Sequence, residues 1–289
     1  MKLKEVFEKS VQFFKDKKIE SARLDAELLI SHALKFDRLQ IYLKYEQPLS
    51  EAEVQACREV IRRRTAGEPV AYIVGERGFY GQIFKVGEGV LIPRPETELI
   101  VEEGINFLRA TQQENQAEAE LQVLDLGAGS GCIGLSILKE VSNVKLTAVE
   151  RSEKAFSFLK RNTDELNLTE RSRLICDDVM KFQDKHRYDL IVANPPYIAE
   201  NDPATETNVR KFEPAEALFA ADAGLADIKN WLQKYSAQMS DRSLILMEIG
   251  YQQGPAVKDF ANALGCFSKV EILKDLSGLD RVLKATHNS

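Results

Sequence analysis

Apolar residues in the first 70 positions recur at the spacing of an α-helix. One helical face is formed by Val6, Phe7, Phe13 and Phe14. Two further faces are formed by Leu24, Leu28, Leu29 and Ala33, and by Val54, Cys57 and Ile61. Ser21 is a candidate cap for the second helix, and Ser50 with Glu53 forms a capping box before the third. The pattern predicts a small N-terminal helical bundle over residues 1–70.

The pattern changes after residue 70, where glycines separate aromatic and β-branched residues as far as residue 92. On this basis residues 71–92, with Tyr72, Ile73 and Val74 among their aromatic and β-branched residues, are predicted to form a β-hairpin connector. The segment from Pro93 then opens a helix that runs to about Arg109, with acidic residues in its first turn. The polar residues 111–120 are predicted to form a surface loop.

From residue 122 onward, strand patterns alternate with helical patterns. Seven strands are predicted, at Gln122–Leu126, Lys145–Val149, Arg173–Cys176, Tyr188–Ala193, Ser243–Glu248, Lys269–Leu273 and Arg281–Ala285. Helices are predicted at Cys132–Glu140, Glu153–Leu166, Leu225–Met239 and Pro255–Leu264. This alternation implies an α/β domain over residues 93–289, with a mainly parallel, doubly wound, seven-stranded sheet. The last two strands have a short connection, so they should pair antiparallel at one edge.

Composition and charge narrow the class of protein. The chain is 44% hydrophobic and 29% charged, as is usual for a soluble globular protein. Its net charge of −6 argues against a strongly cationic nucleic-acid binder, so no direct contact with nucleic acid is expected. Residues 1–70 hold 14 Lys and Arg against 12 Asp and Glu, a net charge of +2, which leaves −8 for the rest. The dense cluster Arg62–Arg64 suits either the last turn of a helix or a docking surface.

Targeting segments and metal motifs are not evident in the sequence. The opening residues mix both charges and no apolar run reaches the length of a membrane span, so neither a signal peptide nor membrane association is expected. The four cysteines are widely scattered and match no zinc, redox or disulfide pattern. The histidines, His32, His186 and His287, accompany no candidate nucleophile or metal cluster. We therefore expect a cytoplasmic protein without a metal site.

The strongest cofactor signal follows the first strand of the predicted sheet. This strand leads into the glycine run Gly127-Ala128-Gly129-Ser130-Gly131 and then into a helix. Glycine is needed where backbone turns tightly against a ligand, and doubly wound sheets bind ligands at this point. Glu150 ends the next strand and can accept hydrogen bonds from ribose hydroxyls, and Asp178 follows the third strand, where it could receive an adenine amino group. A nicotinamide dinucleotide is the alternative, although Gly-x-Gly-x-x-Gly is matched only from Gly129, two residues late.

The fourth strand ends in Asn194-Pro195-Pro196-Tyr197, where two prolines stop the strand and stiffen the residues before them. The Asn194 side-chain oxygen and the Pro195 carbonyl could each accept one proton of a planar –NH₂ group, while Tyr197 lies against that group. Its nitrogen would then face an activated methyl donor, and catalysis would depend on proximity and orientation without a strong base. The alternative is a plain strand terminator with a surface tyrosine.

These motifs resemble those of a known class of enzymes. Asp125-x-Gly127-x-Gly129-x-Gly131, Glu150 and Asn194-Pro195-Pro196-Tyr197 together are similar to class I methyltransferases that act on amide or exocyclic amino nitrogens. Within that class, residues 20–285 resemble the release-factor glutamine methyltransferases. Further segments that carry the resemblance are Gly67–Gly75, Leu91–Glu98, Phe212–Leu218, Gly224–Ile228, Glu248–Gly254 and Gly278–Arg281.

The resemblance implies a cofactor, a substrate and roles for particular residues. The cofactor would be S-adenosyl-L-methionine, with S-adenosyl-L-homocysteine as product, and the substrate the glutamine in the Gly-Gly-Gln motif of peptide chain release factors. Gly127 to Gly131 would line the cofactor, Glu150 would hold its ribose, and Asn194 would face both ligands. Asn194–Tyr197 would hold the substrate glutamine. Asp178 stands where some members have a large aromatic residue beside the adenine.

The resemblance also assigns the helical N-terminal domain, residues 1–70, to docking of the release factor, and it places Arg94 and Glu96 at the border of the substrate pocket. Three alternatives stay open at this point. They are a methyltransferase for another protein glutamine, a methyltransferase for an exocyclic amino group of a nucleic-acid base, and a non-catalytic adaptor on the same fold. The net negative charge of residues 71–289 disfavours a nucleic-acid methyltransferase. The intact motifs disfavour a non-catalytic adaptor.

Overall fold

The computed structural model describes residues 1–114 and 120–288, and they form two compact units. The first unit comprises Met1–Glu76 and Thr207–Phe212, and the second comprises Arg77–Glu206 and Glu213–Ser289. The first unit therefore extends past residue 70 and takes in a short helix from far along the chain. The periodicity of the sequence does not show that this helix belongs to the first unit, because contacts between residues distant in sequence decide which unit a segment joins.

The first unit is the predicted helical bundle. Its first five helices are α1 (Leu3–Asp16), α2 (Ala22–Leu34), α3 (Arg38–Leu43), α4 (Glu51–Thr65) and α5 (Val70–Val74). The capping box of α4 is confirmed: Ser50 Oγ accepts a hydrogen bond from Glu53 N at 3.3 Å, and Glu53 Oε2 accepts one from Ser50 N at 2.7 Å. Ser21 occupies the N-cap position of α2, but its side chain makes no capping hydrogen bond. The apolar faces of the helices enclose a core that includes Leu3, Phe7, Phe14, Leu29 and Ile30.

The basic cluster Arg62–Arg64 lies in the last turn of α4. Each guanidinium group pairs with a carboxylate of the same unit, as Arg62–Glu59, Arg63–Glu68 and Arg64–Asp25, at 2.6, 2.5 and 2.7 Å. Asp25 is buried, so the Arg64 pair is part of the interior. Positive charge is also stabilised at the C-terminal end of a helix. These ion pairs and the position at the C-terminal end of α4 account for the presence of three consecutive arginines.

The connector contains a hairpin, but the hairpin does not include Tyr72–Val74, which the prediction places in the connector. These residues form the helix α5, in which Tyr72 and Ile73 are buried. Ile73 belongs to the core of the first unit, and such packing overrides β-propensity. Gly75 ends the helix with φ 83°, a left-handed conformation that glycine adopts without strain. The hairpin follows as β1 (Glu76–Phe79) and β2 (Gln82–Lys85), joined by two residues of positive φ as in a type I′ turn.

The second unit is built on a seven-stranded sheet, and the seven predicted strands are present. The remaining elements of the chain are α6 (Glu98–Glu114), β3 (Leu121–Leu126), α7 (Cys132–Glu140), β4 (Val144–Glu150), α8 (Glu153–Glu165), β5 (Ser172–Cys176), β6 (Tyr188–Ala193), β7 (Ile198–Ala199), α9 (Thr207–Phe212, in the first unit), α10 (Ala215–Leu218), β8 (Phe219–Ala220), α11 (Ala226–Ser236), β9 (Met239–Glu248), α12 (Gly254–Ala263), β10 (Phe267–Lys274) and β11 (Asp280–His287). Residues 111–114 are helical, which corrects the predicted loop there, and residues 115–119 of that loop lie outside the described residues.

The sheet has the strand order β10-β11-β9-β6-β3-β4-β5. The pairings of β11 with β10 and with β9 are antiparallel, and the others are parallel, so the predicted antiparallel edge is confirmed. The chain runs from β3 to β4 and β5 on one side and then returns to β6 on the other side of β3. Doubly wound sheets bind ligands at such a reversal. β3 is buried on both faces, with Val123 in one core and Leu124 in the other, so the loops after β3, β4 and β6 have a rigid base.

Candidate active site

A cavity of about 260 Å³ lies where β3, β4 and β6 end. Most of the predicted site residues line it, namely Gly127, Ala128, Gly129, Ser130, Glu150, Asp178, Asn194 and Pro196. Gly131, Pro195 and Tyr197 are not among the lining residues. The sheet topology thus brings the glycine turn and the turn that starts at Asn194 to one cavity, although they follow different strands.

The glycine turn combines a surface that faces the cavity with tight packing behind it. Gly127, Gly129 and Gly131 have φ values of 65°, 57° and 81°. A Cβ on Gly127 would lie 2.8 Å from the Trp231 ring, and one on Gly131 would lie 2.6 Å from the Leu159 side chain. A Cβ on Gly129 would meet only a backbone oxygen, at 3.9 Å. Gly129 therefore leaves room for a ligand, whereas Gly131, which precedes α7, is required for packing.

Glu150 is buried at the end of β4 and holds the glycine turn. Its Oε2 accepts a hydrogen bond from Gly129 N at 2.8 Å, and its Oε1 accepts one from Ser152 N at 2.7 Å. Burial raises the pKa of Glu150, and the N–H groups of Ser152 and Gly129 oppose that shift. Each carboxylate oxygen can accept a second hydrogen bond. Glu150 can therefore receive two ligand hydroxyls while it holds the backbone.

The charges of the cavity favour one kind of nucleotide cofactor. Its acidic lining residues are Glu150, Asp178, Glu216 and Asp227, and its basic lining residues are Arg94 and Arg151. A dinucleotide pyrophosphate is anionic and is bound by N–H groups of the glycine turn and the following helix. Gly129 N already donates to Glu150. The cavity therefore suits a cofactor with a cationic centre, such as the sulfonium of S-adenosylmethionine, better than a dinucleotide.

The Asn194–Tyr197 turn follows β6 directly and is anchored by side chains from other elements. Asn194 Nδ2 donates a hydrogen bond to Thr97 Oγ1 at 3.4 Å. The Tyr197 hydroxyl donates to Glu248 Oε1 at 2.9 Å, and the Tyr197 carbonyl accepts a hydrogen bond from Gln253 Nε2 at 2.9 Å. Burial, with Glu248 close by, raises the pKa of Tyr197 well above its ordinary value. Tyr197 is thus held from the interior, through its hydroxyl and its backbone.

Thr97 and Glu248 are functional candidates that the sequence predictions did not include. Glu248 ends β9, the neighbour of β6, and is fully buried. Its Oε2 accepts a hydrogen bond from Thr97 Oγ1 at 2.6 Å. Burial raises the pKa of Glu248 to about 6, while the hydroxyls of Thr97 and Tyr197 lower it. A signal was available in the sequence, because an acidic residue at the end of an apolar strand is also the pattern that identified Glu150.

One wall of the cavity is held by an ion pair. Arg94, which lines the cavity, donates from Nη2 to Glu213 Oε1 at 2.5 Å, and Glu213 Oε2 accepts a hydrogen bond from Ile92 N at 3.1 Å. The Glu213 side chain is only 2% exposed. Pro95 begins a short 3₁₀ helix, Pro95–Thr97. The segment from Ile92 therefore both shapes the cavity and starts a helix. Glu96 is not among the lining residues.

The histidines take no part in this cavity. The exposed His186 has its Nδ1 2.6 Å from Oδ1 of the buried Asp184 side chain, and His186, His32 and His287 are not among the residues that line the cavity. Across residues 1–114 and 120–288, no group of three or more His, Cys, Asp or Glu side chains is arranged to hold a metal ion. In the same ranges, no helix is long and apolar enough to cross a membrane.

The sheet topology and its cavity define a class I methyltransferase. Residues 100–245 match the family described as methyltransferase small domain, and residues 5–75 match the one described as PrmC N-terminal domain. The catalytic domain of hMettl16, solved in complex with the MAT2A 3′UTR hairpin 6, has a TM-score of 0.56 to this chain at 15% identity. The match covers 78% of this chain and 81% of that one, and it concerns the fold alone.

Two relatives identify the family more closely. The release factor glutamine methyltransferase of Chlorobaculum tepidum is 37% identical over 285 residues, which are 96% of this chain and 95% of the relative. The release factor glutamine methyltransferase of Rhodopirellula baltica is 34% identical over 280 residues, 96% of this chain and 94% of the relative. The chain belongs to the release factor glutamine methyltransferase family. The resemblance drawn from the sequence motifs is confirmed.

Proposed function

We propose that this chain transfers the methyl group of S-adenosyl-L-methionine to the side-chain amide nitrogen (N5) of the glutamine in the Gly-Gly-Gln motif of peptide chain release factors. The observation that carries the proposal is the placement of Asn194 and the glycine turn on one acidic cavity. Membership of the family, over nearly the whole chain, selects a glutamine amide among the planar nitrogens that such a site could hold.

The cofactor fits the residues of the cavity. It supplies a methyl group on a positively charged sulfur, so the protein needs to position the acceptor more than to activate it. Glu150 would accept hydrogen bonds from the ribose hydroxyls, and Gly127 to Gly129 would line the rest of the molecule. Asp178 Oδ1 accepts a hydrogen bond from Met180 N at 2.7 Å, which leaves acceptor capacity for the adenine amino group.

The chain's own residues would orient the glutamine. The Asn194 side-chain oxygen and the Pro195 carbonyl would each accept a hydrogen bond from one proton of the glutamine –NH₂ group. Pro195 has no N–H, so its backbone offers only an acceptor. The nitrogen would then face the methyl carbon that the cofactor supplies, and transfer would release one N–H proton to solvent and leave S-adenosyl-L-homocysteine. Correct placement of reactants alone can supply about 7–11 kcal/mol of a barrier.

The alternatives share the chemistry but differ in the substrate. A nucleic-acid substrate carries phosphates, which are disfavoured by the net negative charge of a cavity lined by four acidic and two basic side chains. Another protein glutamine would satisfy the same hydrogen bonds, so only the choice of substrate distinguishes it. The substrate test therefore decides between the proposal and both alternatives.

The test is to incubate the purified protein with labelled S-adenosyl-L-methionine and a release factor. We expect label on the factor with its Gly-Gly-Gln motif intact and none on a factor whose motif glutamine is replaced by alanine. Label that persists on the alanine version would show a different protein site. Label that appears only on RNA or DNA would contradict the proposal and favour a nucleobase.

Asn194→Ala tests the site itself. We expect transfer to fall at least 100-fold, because the acceptor for one amide proton is lost, while the Kd for S-adenosyl-L-homocysteine changes less than about threefold. Asn230→Ala, an exposed residue of α11, is the matched control and should leave both quantities unchanged. Turnover of Asn194→Ala equal to that of the unmodified protein would refute the role of this side chain.

A further inference from the structure

On the basis of the proposed function, we propose that Glu248 and Thr97 are positioning residues that fix which end of the Asn194 amide faces the substrate. An amide side chain has two ends of similar size and opposite hydrogen-bonding character, since the oxygen accepts and the nitrogen donates. Substrate capture requires the oxygen to point toward the glutamine –NH₂ group. Some neighbour must therefore hold the nitrogen end.

The fold brings three separate elements together to do this. Asn194 follows β6, Glu248 ends β9, and β9 pairs in parallel with β6, so the two residues lie at adjacent strand ends. Thr97 ends the short helix Pro95–Thr97 and is 1% exposed. Thr97 Oγ1 lies 2.6 Å from Glu248 Oε2 and 3.4 Å from Asn194 Nδ2. The hydroxyl therefore stands between the carboxylate and the amide.

The direction of these hydrogen bonds follows from the chemistry of the three groups. An ionised carboxylate has no proton and can only accept. Thr97 must therefore donate its single hydroxyl proton to Glu248, after which its oxygen can only accept. The Asn194 amide must therefore turn its nitrogen, the donor end, toward the Thr97 oxygen. The charge on Glu248 thereby determines that Asn194 Oδ1 is the end left for the substrate.

The second oxygen of Glu248 holds the other end of the turn. Glu248 Oε1 accepts a hydrogen bond from the Tyr197 hydroxyl at 2.9 Å. Gln253 reinforces this arrangement, since its Nε2 donates to the carbonyls of Tyr197 and Ala223 at 2.9 and 3.2 Å. One buried carboxylate thus orients the amide and the aromatic ring that flank the two prolines.

This chain of hydrogen bonds from Asn194 through Thr97 to Glu248, here called the relay, also implies that turnover depends on pH. The titratable and charged groups that act on Glu248 or feel its charge are Tyr197, Glu96, Arg281 and Cys132. Among the influences on Glu248, burial dominates and raises its pKa to about 6. Below that pH the carboxyl gains a proton and can donate to Thr97, so the order of donors and acceptors is no longer imposed. Turnover should therefore fall as the pH drops through about 6.

Three substitutions separate this relay from a general structural role. Thr97→Val keeps the shape but removes the hydroxyl, and Thr97→Ser keeps the hydroxyl. We expect Thr97→Val to lower kcat at least tenfold, with KM for the release factor and Kd for S-adenosyl-L-homocysteine within about threefold, and Thr97→Ser to retain most of the activity. Glu248→Gln should lower kcat and remove the part of the acidic limb near pH 6 that comes from Glu248, because a glutamine at this position has no proton to gain. A Thr97→Val enzyme with kcat within twofold of the unmodified enzyme would overturn the relay.

A second measurement does not depend on the substrate. The side-chain ¹⁵N–¹H signals of Asn194, assigned by their loss in Asn194→Ala, should shift and broaden in Thr97→Val and remain near their original position in Thr97→Ser. Unchanged signals in Thr97→Val would overturn the relay even if the enzyme is active. If the unmodified protein fails to methylate release factors but the signals respond as expected, the proposed substrate is wrong while the orientation of Asn194 stands.

Discussion

Glu150 and Glu248 are both buried carboxylates at the last residue of a strand in the same sheet, but their partners differ in kind. Glu150 accepts hydrogen bonds from two backbone N–H groups, those of Gly129 and Ser152. Glu248 accepts hydrogen bonds from two side-chain hydroxyls, those of Thr97 and Tyr197. Backbone donors persist whatever the neighbouring side chains are, whereas each hydroxyl donor depends on one residue. Under our proposals, Glu150 therefore holds a fixed turn beside the cofactor, while Glu248 orients side chains that would face the substrate.

The largest effect should come from Glu150→Ala. The substitution removes both acceptors that we assign to the ribose and releases Gly129 N–H. We expect the Kd for S-adenosyl-L-homocysteine, measured by calorimetry, to rise at least 100-fold, which corresponds to about 3 kcal/mol. Glu153→Ala, an exposed acidic residue in the first turn of α8, is the matched control. A folded Glu150→Ala protein with a Kd within threefold of the original would remove Glu150 from the cofactor site.

The next effect extends the comparison to Asp125, a buried carboxyl in β3 that accepts a hydrogen bond from Gly134 N at 2.9 Å. Burial raises the pKa of Asp125 to about 7 from an ordinary 3.8. Since the folded state holds the proton more tightly than the unfolded chain, this residue should make folding less favourable as the pH rises from about 4 to 7. The loss between pH 5 and 8 is about 2–3 kcal/mol.

Urea unfolding of Asp125→Asn at pH 5 and pH 8 measures that contribution. The variant should show a smaller decrease in the free energy of unfolding over this interval than the original protein does. Asp259→Asn, on the exposed side of α12, controls for the change in charge and should behave like the original. Parallel behaviour of Asp125→Asn and the original protein would show that Asp125 is ionised throughout.

The smallest effect should come from Tyr197→Phe, which removes one of the two hydroxyl donors to Glu248. A buried acceptor then loses its partner, so the free energy of unfolding should fall by about 1–2 kcal/mol. The Kd for S-adenosyl-L-homocysteine should stay within twofold, because Tyr197 does not line the cavity. If Tyr197→Phe weakened binding of S-adenosyl-L-homocysteine as much as Glu150→Ala does, Glu150 and Glu248 would not serve separate ligands.

The strands and the glycine turn could be predicted because their signals are local. The apolar run of β3 and the glycines after it are contiguous, and the double proline stops β6 at one place in the chain. The error at Tyr72–Val74 has a physical cause, since aromatic and β-branched residues favour strands until packing decides otherwise. There, burial of Ile73 in the helical core decided the outcome.

The sequence by itself determined the seven strands of the sheet, the carboxylate at the end of β4 and the rigid turn Asn194–Tyr197, because each depends on neighbours within a few residues. Only the tertiary structure decided which side chains hold that turn. Thr97 and Glu248 are far apart in the chain and carry no joint signal, and they meet because β9 pairs with β6 and a short helix packs beside them. Hydrogen bonds between side chains require specific positions in space, and periodicity along the chain does not encode those positions.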